Sequence, residues 1–408
     1  MQKHILLIGT ADTKADELVF MQQTIERLGG NAQIMDVSVL GDATITIAYN
    51  KHDVAAAANT TNAEIIALGD ENKAMTTTAI GASALASSLY TDGKIDGVLM
   101  LGGTMGTDLA LDVAEALPFG LPKMIVSTVA FSHLIPPERL SADLMMILWS
   151  GGLYGLNSVC QSVLTQACGA IYGAALAATP LQYDKPLIAM TSLGSSALTY
   201  MKLLKPALEQ RGFEVVVFHA TGLGGRALET LAAKGRFVAV LDLCLAELAN
   251  ESVGSSITSG ANRMEAASLA GIPQILAGGG LGFIDIPTWK PLNDDYQTRG
   301  YHAHNRLIAS VTMNADEMRH LARLIANKLR KATAPSVFIS TLHGLIDWDR
   351  AGSPLCNPHV LNAFLQEINT QFHNHNTQHI ALDAHICDAA FANEVLKIVD
   401  EWRKVGSL

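Results

Sequence analysis

Short apolar runs alternate with amphipathic stretches along most of this chain. Residues 4–9 are a compact apolar run and predict a strand. Leu18, Met21, Ile25 and Leu28 then recur at helical spacing. Thr13 is placed to cap that helix, Asp16 and Glu17 fall in its first turn, and Gly29-Gly30 stops it. Residues 32–40 predict the second strand. Residues 53–59 and 72–90 are alanine-rich and helical in pattern, whereas residues 64–68 fit either strand or helix. Strands at 97–101, 123–128 and 143–149 follow, with a helix at 108–117. Residues 179–186 hold two prolines and a polar centre and mark a linker. Beyond them the rhythm restarts, with strands at 187–191, 213–219, 237–242, 274–277, 336–340 and 379–383. A helix over 314–329 opens on Asn314 with Glu317 three residues on. This alternation predicts an α/β protein of two Rossmann-like, doubly wound domains with mainly parallel sheets and a cleft between them. The expected domains are 1–180, ending in a long uncharged helix, and 186–408.

Composition sharpens that picture. At 408 residues the chain exceeds one ordinary core, and 49% hydrophobic against 16% charged residues excludes disorder. A net charge of −10 with no basic run argues against a nucleic-acid partner. Residues 153–183 carry no charge and are long enough to span a bilayer. Asn157, Ser158, Gln161, Ser162, Thr165 and Gln166 within them point instead to a buried helix at a domain or subunit interface, with no membrane partner. No signal-peptide pattern precedes the first strand. The five cysteines form no CxxC pair, so a reduced, cytoplasmic setting is expected.

Candidate chemistry concentrates in glycine loops that link strand to helix. The run His219-Ala220-Thr221-Gly222-Leu223-Gly224-Gly225-Arg226 follows an apolar stretch and opens a helix. Free amides of a helix's first turn attract anions, and glycine lets backbone approach a phosphate closely. Gly9, Thr10, Asp12, Thr13 and Lys14 form a second such loop. Gly102, Gly103, Thr104, Gly106 and Thr107 form a third. Strand ends beside a reversal of strand order are where such sheets bind ligands, so the three loops are expected to meet in the cleft. His219 and Arg226 could supply charge, Lys14 could reach a phosphate, and Asp12 suits a ribose hydroxyl or magnesium. Gly222, Gly224 and Ala227 with Asp242 also match the dinucleotide fingerprint in form, but no hydride-transfer constellation accompanies them.

Asp242 and Glu247 are the candidate catalytic carboxylates, for proton transfer or magnesium. Arg263, in a polar loop that feeds a helix, is a candidate clamp for phosphate or carboxylate. Gly278 and Gly279 follow a strand and could let backbone approach the ligand. His302 and His304, and His373 and His375, have the H-x-H spacing that can hold zinc. The second pair lies in a polar turn and reads as exposed loop, so no metal centre is assigned. Residues 281–306 read as a long loop that could close over the cleft.

In their order along the chain, Gly-Thr-Ala-Asp-Thr-Lys at 9–14, the Gly-Gly-Thr loop at 102, Gly155-Leu156-Asn157, His-Ala-Thr-Gly at 219, Gly-Ile-Pro-Gln at 271 and residues 299–305 resemble the Tm-one-like ATP-binding family over nearly the whole length. Plant members of that family are similar to the tomato mosaic virus resistance protein. The resemblance implies ATP binding, two Rossmann-like subdomains and a homodimer. The chain departs from the family pattern at Met105, at 242–247 and at 355–358, where hydroxyl-bearing or aromatic residues are replaced. The leading expectation is therefore a protein that binds ATP or a related nucleotide in the cleft. A competing one is an enzyme acting on a phosphorylated or carboxylated metabolite, with Arg226, Arg263 and Arg299 as clamps. A third is a protein-interaction module with nucleotide as a structural ligand.

Overall fold

A computed structural model describes residues 2–179, 184–373 and 376–408. Residues 180–183 of the linker assigned to 179–186, and His375 of the second histidine pair, lie outside the described residues. The chain forms two compact units, Met1–Gln182 and Tyr183–Leu408.

In unit 1 the elements run β1 (His4–Gly9), α1 (Ala15–Arg27), β2 (Asn31–Asp36), α2 (Lys51–Ala57), α3 (Asn62–Ala67) and α4 (Glu71–Thr91). They continue with β3 (Gly97–Gly102), α5 (Thr104–Ala116), β4 (Lys123–Ser127), β5 (Met145–Leu148) and α6 (Ser158–Ala177). The five strands are parallel and lie in the order β2-β1-β3-β4-β5. Alternate side chains serve opposite faces, as the two-residue period of a strand demands. Leu6, Ile8, Val98 and Met100 pack with α4 and α5, while Ile5, Leu7, Leu99 and Leu101 pack with α1 and α6. Helix α6 buries Cys160, Leu164, Ala167, Cys168, Ile171 and Ala175 as one stripe and leaves Val159 and Leu176 exposed. By length and composition α6 could cross a membrane, and its buried stripe is what ties it to α1 and the sheet. The ambiguous residues 64–68 are mostly helical. Thr61 and Glu64 form a capping box that starts α3, and Asn50 and Asp53 do the same for α2.

Unit 2 runs β6 (Leu187–Ser192), α7 (Gly194–Gln210), β7 (Glu214–His219), α8 (Leu223–Ala233), β8 (Ala239–Cys244) and α9 (Ala246–Ser252). Next come α10 (Ala266–Leu269), β9 (Gln274–Gly279), β10 (Phe283–Pro287), β11 (Tyr301–Ala303), β12 (Ile308–Thr312) and α11 (Ala315–Leu329). The last elements are β13 (Ser336–Thr341), α12 (Pro358–Phe372), β14 (Gln378–Leu382) and α13 (Ala389–Lys404). Its parallel sheet has the order β14-β13-β9-β8-β6-β7. Counted within each unit, the two sheets therefore start alike, as 2-1-3-4-5, and reverse direction between their first and third strands.

The segment 281–306 is not one long loop. Together with β12 it contributes to a three-stranded antiparallel sheet, β10-β12-β11. Its strands escaped the pattern because only one face is apolar: Ile284 and Val311 enter a core with α9, α11 and α12. The stretch between β10 and β11, residues 288–300, is loop apart from a single 3-10 turn at Asp294–Tyr296.

Candidate functional site

Two of the three glycine loops come together. Both belong to unit 1, and they flank the switch point, since β1 and β3 are neighbours in the sheet while α1 and α5 leave toward opposite faces. Between them opens a cavity of about 790 Å³, within the range of small-molecule sites. Thr10, Asp12, Thr13 and Lys14 line one side of it, and Gly102, Gly103, Thr104, Met105 and Gly106 line another.

The third loop of the sequence reading belongs to unit 2. It follows β7, the edge strand of the unit 2 sheet, and not a strand beside the switch point.

The polar wall of the cavity is built from the chain's own turn chemistry. Asp36, buried at the end of β2, accepts the amides of Ala11 and Ser38, both at 2.9 Å, and so fixes the first loop. The Asp12 amide donates to Ser38 Oγ. Gly41 approaches Asp12 so closely that a Cβ would lie 2.6 Å from its side chain. One Asp12 oxygen accepts Gly41 N at 3.3 Å, while Oδ1 is inaccessible and has no hydrogen-bond partner. Lys14 makes a 3.4 Å contact to the Thr13 carbonyl, and no carboxylate among the described residues lies within ion-pairing distance of it.

Helix α5 starts on Gly103 with no side-chain cap. Its first internal bond is Thr107 N to Gly103 O, which leaves the Thr104, Met105 and Gly106 amides without a helical acceptor. Gly102 allows the tight turn, since a Cβ there would sit 2.5 Å from Gly106 backbone. Gly103 has open space instead, with Thr128 Oγ1 at 3.8 Å as the nearest atom to a Cβ. Gly9 packs on Leu18, and Thr107 turns inward to Ser127 Oγ at 2.7 Å, so these two support the loops from behind.

The opposite wall was not foreseen. Leu40, Ile65, Ile66, Ala74 and Met75 close the cavity from the segment after β2 and from α3 and α4. Leu40 is 77% exposed and Ile66 44% exposed. Large apolar side chains left in water around a concavity mark a ligand surface. The sequence signal was faint: two capping boxes, each opening a helix too short to show an apolar period.

In unit 2 the expected site residues bind one another. Arg263 is fully buried and meets Asp242 through two nitrogens, at 2.5 and 2.7 Å. Its Nε donates to Glu247 at 2.9 Å, and Nη1 lies 3.3 Å from Glu229. Glu247 in turn accepts the amides of Gly222 at 2.6 Å and Gly225 at 3.0 Å. Two of the amides that the 219–226 loop was expected to offer a phosphate, those of Gly222 and Gly225, are thus taken by a carboxylate of the same unit.

Gly225 is glycine because a Cβ would fall 1.8 Å from Glu247 Oε2, and Gly224 because one would fall 1.9 Å from the His219 carbonyl. Thr191 Oγ1 donates to Asp242 at 2.9 Å, so the cluster plugs unit 2's own switch point between β6 and β8. Burial pushes the Glu229 and Glu247 carboxyls up against the pull of Arg263. Burial would lower the Arg263 guanidinium, but the three carboxylates outweigh it and hold it well above its usual range.

Arg263 is therefore a buried counter-ion and not a free clamp, and Asp242 and Glu247 are its partners and not exposed proton carriers. Arg299 is likewise engaged, with Glu317 at 2.7 Å. Gly279 serves packing, since a Cβ would lie 2.2 Å from the Leu243 carbonyl, and Gly278 packs against Leu345 and Leu281. His219 is exposed at the end of β7, and Thr221 and Arg226 are half-buried on that loop and α8.

The model for the N-terminal domain of the uncharacterised protein family UPF0261 matches residues 3–180, and that for its C-terminal domain matches residues 185–403. A UPF0261 protein of Brucella suis biovar 1 is 53% identical, over 98% of this chain and 96% of its own. The ToMV resistance protein Tm-1 of Solanum lycopersicum is 27% identical, over 98% of this chain and 56% of its own. Among solved structures, a putative UDP-N-acetylglucosamine 2-epimerase from Listeria monocytogenes covers 68% of this chain and 79% of its own, with 10% identity and a TM-score of 0.22.

Proposed function

The chain belongs to the UPF0261 family, and we propose that it binds a phosphorylated small molecule, a nucleotide of the ATP kind, in the cavity of unit 1. The observation that carries this reading is the bare first turn of α5, facing a cavity whose other wall is apolar. The Thr104, Met105 and Gly106 amides and the Lys14 ammonium take the phosphates. Leu40, Ile66 and Met75 take the base. Asp12, whose side chain lines the cavity, takes a ribose hydroxyl or a phosphate-bound magnesium ion. A cytoplasmic setting and a homodimer that covers the exposed side of α6 belong to the same proposal.

Thermal shift of the full chain against nucleotides, sugar phosphates and inorganic phosphate, each with and without magnesium, tests it. A nucleotide at a hundred times its dissociation constant stabilises the folded state by about 2.7 kcal/mol. Gly103→Ala places a methyl at the mouth of the α5 turn with Thr128 Oγ1, 3.8 Å away, as its nearest neighbour, so it keeps the unliganded melting temperature and weakens the shift. No shift with any phosphate compound overturns the reading.

A further inference from the structure

The three-stranded sheet of unit 2 carries a polar row on the face away from its core. Asp285 pairs with Ser310 across β10 and β12, and Ser310 pairs with His302 across β12 and β11. His304 lies two residues beyond His302, hence on the same side. Trp348 covers this face, with ring centres 4.2 Å from His302, 4.8 Å from His304 and 5.3 Å from Phe283.

Hydrogen-bond logic fixes one histidine proton. Ser310 Oγ, with a single hydrogen, donates it to Asp285 Oδ1 at 2.6 Å. It must then accept from His304 Nε2, 3.1 Å away. Asp285 is held in place by Asn250, which donates to its other oxygen at 3.1 Å and accepts its amide at 2.7 Å. A neutral His304 therefore keeps its proton on Nε2 and a bare lone pair on Nδ1. A histidine with one ring nitrogen tethered toward a carboxylate and the other bare is the arrangement that metal-binding histidines adopt.

The His302 and His304 rings stand edge to face with centres 4.9 Å apart. Two imidazoles on one tetrahedral ion, each about 2.0–2.1 Å from it, place their ring centres roughly 5 Å apart.

We propose that His302 and His304 form a binding site for a divalent transition-metal ion of the zinc class, with Ser310 and Asp285 as its outer shell and the remaining positions open to water or substrate. It is independent of the unit 1 cavity. Imidazole pairs take Zn²⁺, Ni²⁺ and Cu²⁺, and Trp348 supplies an optical reporter, because Cu²⁺ within a few ångströms quenches indole emission.

Titration of the full chain with Cu²⁺ by tryptophan fluorescence, and with Zn²⁺ by calorimetry, tests the site. The expected result is saturable quenching at one ion per chain, lost in His302→Asn and in His304→Asn. Trp348→Phe removes that quenching and leaves Zn²⁺ affinity in place. Ser310→Ala keeps both imidazoles and weakens Zn²⁺ affinity by about tenfold or more. Binding that ignores Ser310→Ala marks an ordinary surface pair and overturns the proposal, as does quenching that survives loss of both histidines, or no saturable binding at all. Unchanged melting temperatures of the variants show that the fold is kept.

Discussion

At the switch point of unit 1, between β1 and β3, the chain leaves the first-turn amides of α5 without an acceptor. At the corresponding point of unit 2, between β6 and β8, Asp242 and Thr191 close on the buried guanidinium of Arg263. The same strand order thus offers the same crevice twice, and only one is left open. The difference lies in a few side chains. At the loop after the edge strand β7, beside that crevice and not within it, Glu247 accepts the amides of Gly222 and Gly225 and does internally what an incoming anion would do. Nothing equivalent caps α5. A glycine loop after a strand is therefore an opportunity for anion binding, and the residues across from it decide whether the occupant is a ligand or the protein itself.

The largest expected effect tests the closed side. Arg263→Met leaves three buried carboxylates without a counter-charge, and breaking such a pair costs roughly 3–5 kcal/mol. Chemical denaturation should show unit 2 losing about that much, while the ligand response of unit 1 persists. A variant as stable as the parent would remove the contrast between the two crevices.

On the open side, Lys14→Gln removes a cation that no carboxylate among the described residues holds. It should weaken nucleotide binding by about tenfold, or ~1.4 kcal/mol, and flatten its salt dependence, as read by calorimetry at two ionic strengths. Undiminished affinity would put the phosphates elsewhere.

The smallest effect is a pH dependence confined to the closed side. Glu229 and Glu247 titrate above the ordinary value of 4.5 in the folded state. Their contribution to stability is therefore fully present below that value and is lost as pH rises through the raised one. Unit 2 should lose stability from that region toward neutrality, and Glu229→Gln should flatten the slope. Asp388 and Asp400 bound the window from below. A backbone bond from His385 lowers Asp388 and an ion pair with Arg211 lowers Asp400, each from 3.8, so their contribution is present above that value and fades as pH falls through the lowered ones.

Much of the fold was legible because parallel strands buried on both faces read as unbroken apolar runs, as in Val98–Leu101 and Val240–Leu241. Cavity residues from Thr10 to Lys14 and from Gly102 to Gly106 were legible for a related reason, since backbone that must turn sharply needs glycine. Asp242 and Glu247 read as a carboxylate pair and Arg263, separately, as a ligand clamp, whereas the structure pairs Arg263 with both carboxylates. Local sequence carries no mark that a carboxylate 22 residues beyond Gly225 will fold back onto its amide. Leu40, Ile66 and Met75 were missed because an apolar residue awaiting a ligand has the same composition as one awaiting a core. The strands β10, β11 and β12 were missed because they are only three to five residues long and Asp285, His302 and Ser310 break their apolar runs with the polar row that gives their sheet its second face.

Part of the apolar wall of the unit 1 cavity comes from α3, six residues long, which follows α2, seven residues long. Helices this short lack the length to persist alone, so their caps and their seating against α4 hold them. Such a wall opens more readily than the sheet beneath it. Deuterium uptake should therefore be fast across residues 51–70 in the free protein and slow on filling of the cavity, so that solvent exchange in one modest stretch of chain reports occupancy before any product or partner has been identified.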